Sequence, residues 1–83
     1  SLINNQHDMP HVTVQIYTGK TEAEKQKLAD AITNNFIELF GYGEETVSVS
    51  IADIEPADWK EKVYEPEIIN KEELLYKKPG YTI

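Results

Sequence analysis

A chain of 83 residues holds one domain at most, and without cysteine it has neither a disulfide framework nor a thiolate metal site. A net charge of −7 leaves no basic stripe for nucleic acid or an anionic membrane surface. No apolar run is long enough to span a bilayer and no secretory h-region is present, so the expected location is the cytoplasm. With His7 and His11 as its only histidines, the chain is poorly equipped for a histidine zinc site or a Ser-His-Asp triad. A chain this short builds a modest core, and without disulfides or metal the usual remaining stabiliser is association with further copies. A homo-oligomer is therefore expected.

Ser1 to Asp8 is polar and aperiodic, and Ser1-Leu2 reads as a cloning remnant. Residues 1–9 are thus expected to be a disordered leader and residues 10–83 a single domain. Met9-Pro10 has the form of a translation start, because Met before a small residue is normally removed. His11 to Thr18 then alternates, with Val12, Val14 and Ile16 on one side and His11, Thr13, Gln15 and Tyr17 on the other. Period two with β-branched residues predicts a half-buried strand, and Gly19-Lys20 ends it.

Thr21-Glu22-Ala23-Glu24 has the spacing of a capping box. After it, Leu28, Ile32, Asn35, Phe36, Leu39 and Phe40 recur at helical spacing, and Gly41 and Gly43 supply a stop. Thr46 to Ile54 alternates again, with Val47, Val49 and Ile51 on one face. Strand, helix and strand at this spacing predict a parallel β-α-β unit, which calls for more strands than one copy has. Pro56 to Tyr64 is expected to form a short helix that Pro66 interrupts. Lys71 to Tyr76 adds a helical turn or two, and Pro79-Gly80 makes a turn before Tyr81.

A strand that starts at a post-Met proline, followed by Gly19-Lys20-Thr21, a capped helix and an alternating second strand, resembles the tautomerase superfamily. Within it the chain looks like the 4-oxalocrotonate tautomerase group, and the ending Lys77-Lys78-Pro79-Gly80-Tyr81 is similar to a subgroup with a longer C-terminal segment. The resemblance implies an α/β fold in which the β-α-β protomer dimerises into a four-stranded sheet with its helices on one face. Some members go on to hexamers. It also implies a catalytic N-terminal proline, matched by Pro10, that acts as general base and then acid. Lys20 stands where the family carries a first substrate-carboxylate arginine, Ser48 where short members carry a second, and Trp59 where an aromatic lines the pocket. Lys20 keeps the charge without the bidentate fork, and Ser48 loses the charge. One cation and a tryptophan suit a mono-acid with an apolar or aromatic tail better than a dicarboxylate.

The implied activity is a cofactor-independent and metal-independent keto–enol tautomerase acting on a 2-hydroxy-2-enoate or enolpyruvate-type acid. Its base must sit near neutral pKa, and an apolar pocket with a nearby cation lowers the pKa of a secondary amine. The indole N–H of Trp59 would be available to a developing enolate. Because Met9 acylates the Pro10 nitrogen, the form with residues 1–9 attached is expected to be inactive. Two other readings stand beside this one. One is a dehalogenase or hydratase of the same fold; the other is a non-catalytic oligomeric binding protein whose leader blocks the proline.

Overall fold

The computed structural model describes residues 8–83, so the expected leader lies outside the described residues except for Asp8 and Met9. Strand β1 (His11–Tyr17) is followed by helix α1 (Glu22–Phe40) and strand β2 (Ser48–Ile54). The two strands form one sheet. The Ser48 N–H donates to the Pro10 carbonyl at 3.1 Å and the Thr18 N–H to the Ile54 carbonyl at 3.1 Å, so both strands run in the same direction. This is the expected parallel β-α-β unit. By contact density the chain divides into two units. One takes the first half of β1, to Val14, with Gly19–Ala52; the other takes Gln15–Thr18 with Asp53–Ile83.

In the first unit the caps define α1. Thr21 is extended, at φ −75° and ψ 161°. Its hydroxyl accepts from the Glu24 N–H at 3.1 Å, and the Glu24 carboxylate accepts from the Thr21 N–H at 2.8 Å. Two donors that the helix itself cannot satisfy are thereby paired. At the other end Gly41 sits at φ 71°, a left-handed conformation that costs glycine nothing, and its N–H reaches the Ile37 carbonyl at 2.9 Å. The half-buried stripe of the helix is Lys25, Ala29, Ile32, Thr33, Phe36 and Ile37. It faces β2, since Lys25 and Ala29 line one cleft with Val49 and Ile51. The expected apolar face is therefore turned: Ile32 and Phe36 lie on the stripe, whereas Leu39 and Phe40 are 74% and 60% exposed. Two strands are too narrow to cover the whole apolar side of a helix.

β2 starts two residues later than its alternation suggests. Glu44–Thr46 is a 3-10 turn, closed by the Thr46 N–H on the Gly43 carbonyl at 3.1 Å, with the Thr46 hydroxyl on the same oxygen at 2.8 Å. Threonine's capacity to bond nearby backbone competes there with the ladder.

In the second unit a 3-10 turn at Pro56–Asp58 leads into a helix over Lys60–Ile69. Pro66 does not interrupt that helix, contrary to expectation. The segment is a π-helix, and the Asn70 N–H reaches the Glu65 carbonyl, five residues back, at 3.0 Å. A prolyl ring collides with the carbonyl four residues earlier in an α-helix, and the wider coil avoids that collision. Val63 and Tyr64 on this helix are the most buried apolar residues described, at 4% and 6% exposure. The expected turns after Lys71 reduce to one 3-10 turn, Glu72–Leu74.

Candidate active site

Pro10 immediately precedes β1. Its carbonyl is held by the Ser48 N–H at 3.1 Å, and its nitrogen is in peptide linkage to Met9, which is 76% exposed. Alternation puts His11 and Ser48 side by side on the open face of the sheet, where His11 Nδ1 and Ser48 Oγ share a hydrogen bond of 2.7 Å. Ser48 is therefore close to the proline, with its hydroxyl already engaged. Two residues before Pro10, Asp8 accepts a hydrogen bond of 2.9 Å from the Tyr42 hydroxyl. That bond, helped by burial and by the Asp8 charge, raises the Tyr42 phenol above its ordinary pKa. Tyr42 is in turn stacked on Phe36, ring centroids 6.2 Å apart.

Lys20 lies beyond the other end of β1, in a turn that requires Gly19 at φ 117°. The lysine is exposed and makes no ion pair among the described residues. Its charge is still felt locally. The Glu24 carboxyl lies below its ordinary pKa, first because the Thr21 backbone and side chain hydrogen-bond to it and then because Lys20 is near. Seven strand residues at about 3.3 Å each separate Pro10 from this turn by roughly 23 Å. One copy of the chain therefore does not bring Pro10 and Lys20 to the same small acid.

The second unit contains a cavity of about 450 Å³ lined by Gln15, Ile16, Tyr17, Trp59, Tyr81 and Ile83. Trp59 stands edge-on to Tyr17, with ring centroids 5.1 Å apart at 78°. Its indole N–H donates to the Tyr81 hydroxyl at 3.2 Å. Trp59 lines this cavity with its indole N–H engaged by the Tyr81 hydroxyl. Tyr81 leans on Tyr64 with centroids 5.7 Å apart. Sequence reasoning placed the tyrosines in packing and so missed Tyr17 and Tyr81 as pocket residues. The available signal for Tyr81 was the Pro79-Gly80 turn, which folds back whatever follows it. In the first unit a proline thus lies beside a Ser–His pair at the start of β1; the second unit, by itself, holds an aromatic cavity lined in part by the last three residues of β1.

A family model described as tautomerase enzyme matches residues 10–61, more than half of the chain. A probable tautomerase from Xylella fastidiosa is 38% identical over 73 residues, covering 88% of this chain and 89% of the relative. Tautomerase PptA of Cronobacter sakazakii is 34% identical over 76 residues, covering 90% of this chain and all of the relative. Among solved structures, a 4-oxalocrotonate tautomerase isozyme from Methylibium petroleiphilum superposes with a TM-score of 0.58 at 28% identity, over 60% of this chain and 81% of the other. YwhB, a homologue of 4-oxalocrotonate tautomerase, gives a TM-score of 0.53 at 33% identity, over 55% of this chain and 75% of the other. The chain belongs to the tautomerase family, in its 4-oxalocrotonate tautomerase-like group. The family and its named relatives make it a tautomerase-type enzyme.

Proposed function

We propose that this chain interconverts the enol and keto forms of a small enolpyruvate-type or 2-hydroxy-2-enoic acid, with the Pro10 amine as its base and acid. The observation that carries the reading is the position of Pro10 directly before a strand whose far end, Gln15 to Tyr17, is part of an aromatic-walled cavity. The secondary amine takes the enol O–H proton, the oxygen–carbon bond becomes a carbonyl, and the former C=C pair takes the proton back from the prolinium at carbon 3. Atoms and charge balance without a further reagent. An apolar wall and a neighbouring cation both favour the neutral amine that the first step requires.

The site is proposed to be completed by a second copy of the chain. β1 and β2 each leave one edge unpaired among the described residues, and a two-stranded sheet is not stable alone. Leu39 and Phe40 remain exposed on α1, which is consistent with a surface meant for further subunits. Antiparallel pairing of β1 with its copy would set Pro10 of one chain beside the far end of the other strand, where Lys20 can meet the substrate carboxylate and Trp59 its tail. A dimer satisfies this geometry, and a hexamer built from three such dimers is compatible with it. Lys20 and Trp59 are accordingly substrate-binding residues in this proposal, and Ser48 holds His11 and Pro10 in place. We place the reaction in the cytoplasm, as an acidic chain with no helix among the described residues able to cross a membrane suggests.

A second reading is favoured by one contact. The Asp8–Tyr42 hydrogen bond anchors the residues ahead of Pro10, as a built-in block of the proline would require. In that case the chain binds acids without turning them over. The two readings separate on Pro10→Ala in a chain that begins at residue 10, assayed with phenylenolpyruvate. General acid–base catalysis is worth about 10²–10⁴-fold, so the substitution should lower kcat/KM by at least a hundredfold. Equal rates would remove the proline from the mechanism.

A further inference from the structure

The cavity in the second unit is lined by the aliphatic side chains of Ile16 and Ile83 and the rings of Tyr17, Trp59 and Tyr81, with polar side-chain atoms on Gln15, Tyr17, Trp59 and Tyr81. The Tyr81 oxygen accepts the indole N–H of Trp59 at 3.2 Å. A phenol that accepts in this way still has its own proton to give, and no hydrogen bond from it reaches any described residue. Accepting one hydrogen bond polarises the hydroxyl and strengthens the one it donates. The ring is also held in position, because Tyr64, only 6% exposed, packs against it at 5.7 Å. Tyr81 is therefore a fixed, polarised donor at the wall of a cavity that is otherwise mostly hydrocarbon.

We infer that Tyr81 is a ligand-binding residue that donates its hydrogen bond to the oxygen on carbon 2 of a 3-aryl-propanoate skeleton. The edge-to-face rings of Tyr17 and Trp59 take the aryl group. A volume of about 450 Å³ lies within the range of small-ligand pockets and admits a phenyl ring with a three-carbon acid. The inference rests on the tautomerase reading for the identity of the acid, and it adds a specificity-determining residue to that reading. Tyr81 selects for the reacting oxygen.

Trp59 is the chain's sole tryptophan and lines this cavity, so its fluorescence reports occupancy directly. The probes are 2-hydroxy-3-phenylpropanoate and 3-phenylpropanoate, neither of which can tautomerise. With the full chain, the hydroxy acid should bind about three- to tenfold more tightly, the value of one added neutral hydrogen bond. Tyr81→Phe keeps the ring; it should bind 3-phenylpropanoate within about twofold of the unchanged chain and lose the preference for the hydroxy acid. Gln15→Leu should retain the preference. The inference is overturned if Tyr81→Phe keeps the preference, if Gln15→Leu abolishes it, or if neither acid perturbs Trp59. Because binding involves no proton transfer, inactivity of any Pro10 form leaves this result unaffected, and the two failures are distinguishable.

Discussion

At Tyr42 a single hydrogen bond couples the segment before Pro10 to the aromatic cluster at the end of α1. The folded phenol is raised by the Asp8 carboxylate. A raised folded pKa means that the contact stabilises fully below the ordinary phenol range and is lost as pH rises through the raised value. Asp8→Asn should therefore bring the Tyr42 titration down toward the ordinary value, followed by the ring-carbon resonance of labelled tyrosine. An unchanged midpoint would mean that the bond does not persist in solution. At Trp59 and Tyr81 the partners are 22 residues apart, joined by an indole N–H and a phenol oxygen. Nothing local in either segment specifies that pair, so the resemblance marked Trp59 for a pocket while its partner stayed hidden in the sequence.

Among the elements, α1 has the clearest local determinants. Thr21→Ala should cost about 1 kcal/mol and lower the melting temperature by roughly 4–8 °C. Glu24 is held low by its bonds to Thr21, so the stabilisation from its charge is present above the ordinary glutamate range and lost as pH falls through the lowered value. The Thr21→Ala penalty should accordingly shrink in strong acid, seen as converging melting curves. The second unit depends on other residues. Val63→Ala removes two methyl groups from the best-buried position described, a loss of about 2 kcal/mol in denaturant unfolding. A loss near zero would mean that this helix contributes little to the cooperative fold.

The strands and α1 were readable because period, cap and stop lie within a few residues of each other. Where a nearby competitor overrode the period, reading failed. Thr46 bonded to the Gly43 carbonyl instead of entering the ladder, and Pro66 was accommodated by a wider helix instead of ending a narrow one. The family's proline, lysine and tryptophan positions could be marked along the sequence. What the sequence hid is that β1 separates two of them by its own length, because a strand's reach becomes visible only once its partners are placed.

For the whole molecule, the proposed shared site depends on association, for which the two strand edges left unpaired among the described residues are the proposed surfaces. Sedimentation should give a mass at least twice the 9.5 kDa of one chain, and a stable monomer at working concentration would break the proposed shared site. The proposed chemistry depends on one nitrogen: an amide in the 83-residue chain, an amine in a chain that begins at Pro10. The most direct test is the rate of phenylenolpyruvate tautomerisation by these two forms side by side, with their N-termini verified by mass. The account predicts turnover by the Pro10 form and a rate at least a hundredfold lower for the 83-residue form. Equal rates in the two would contradict it.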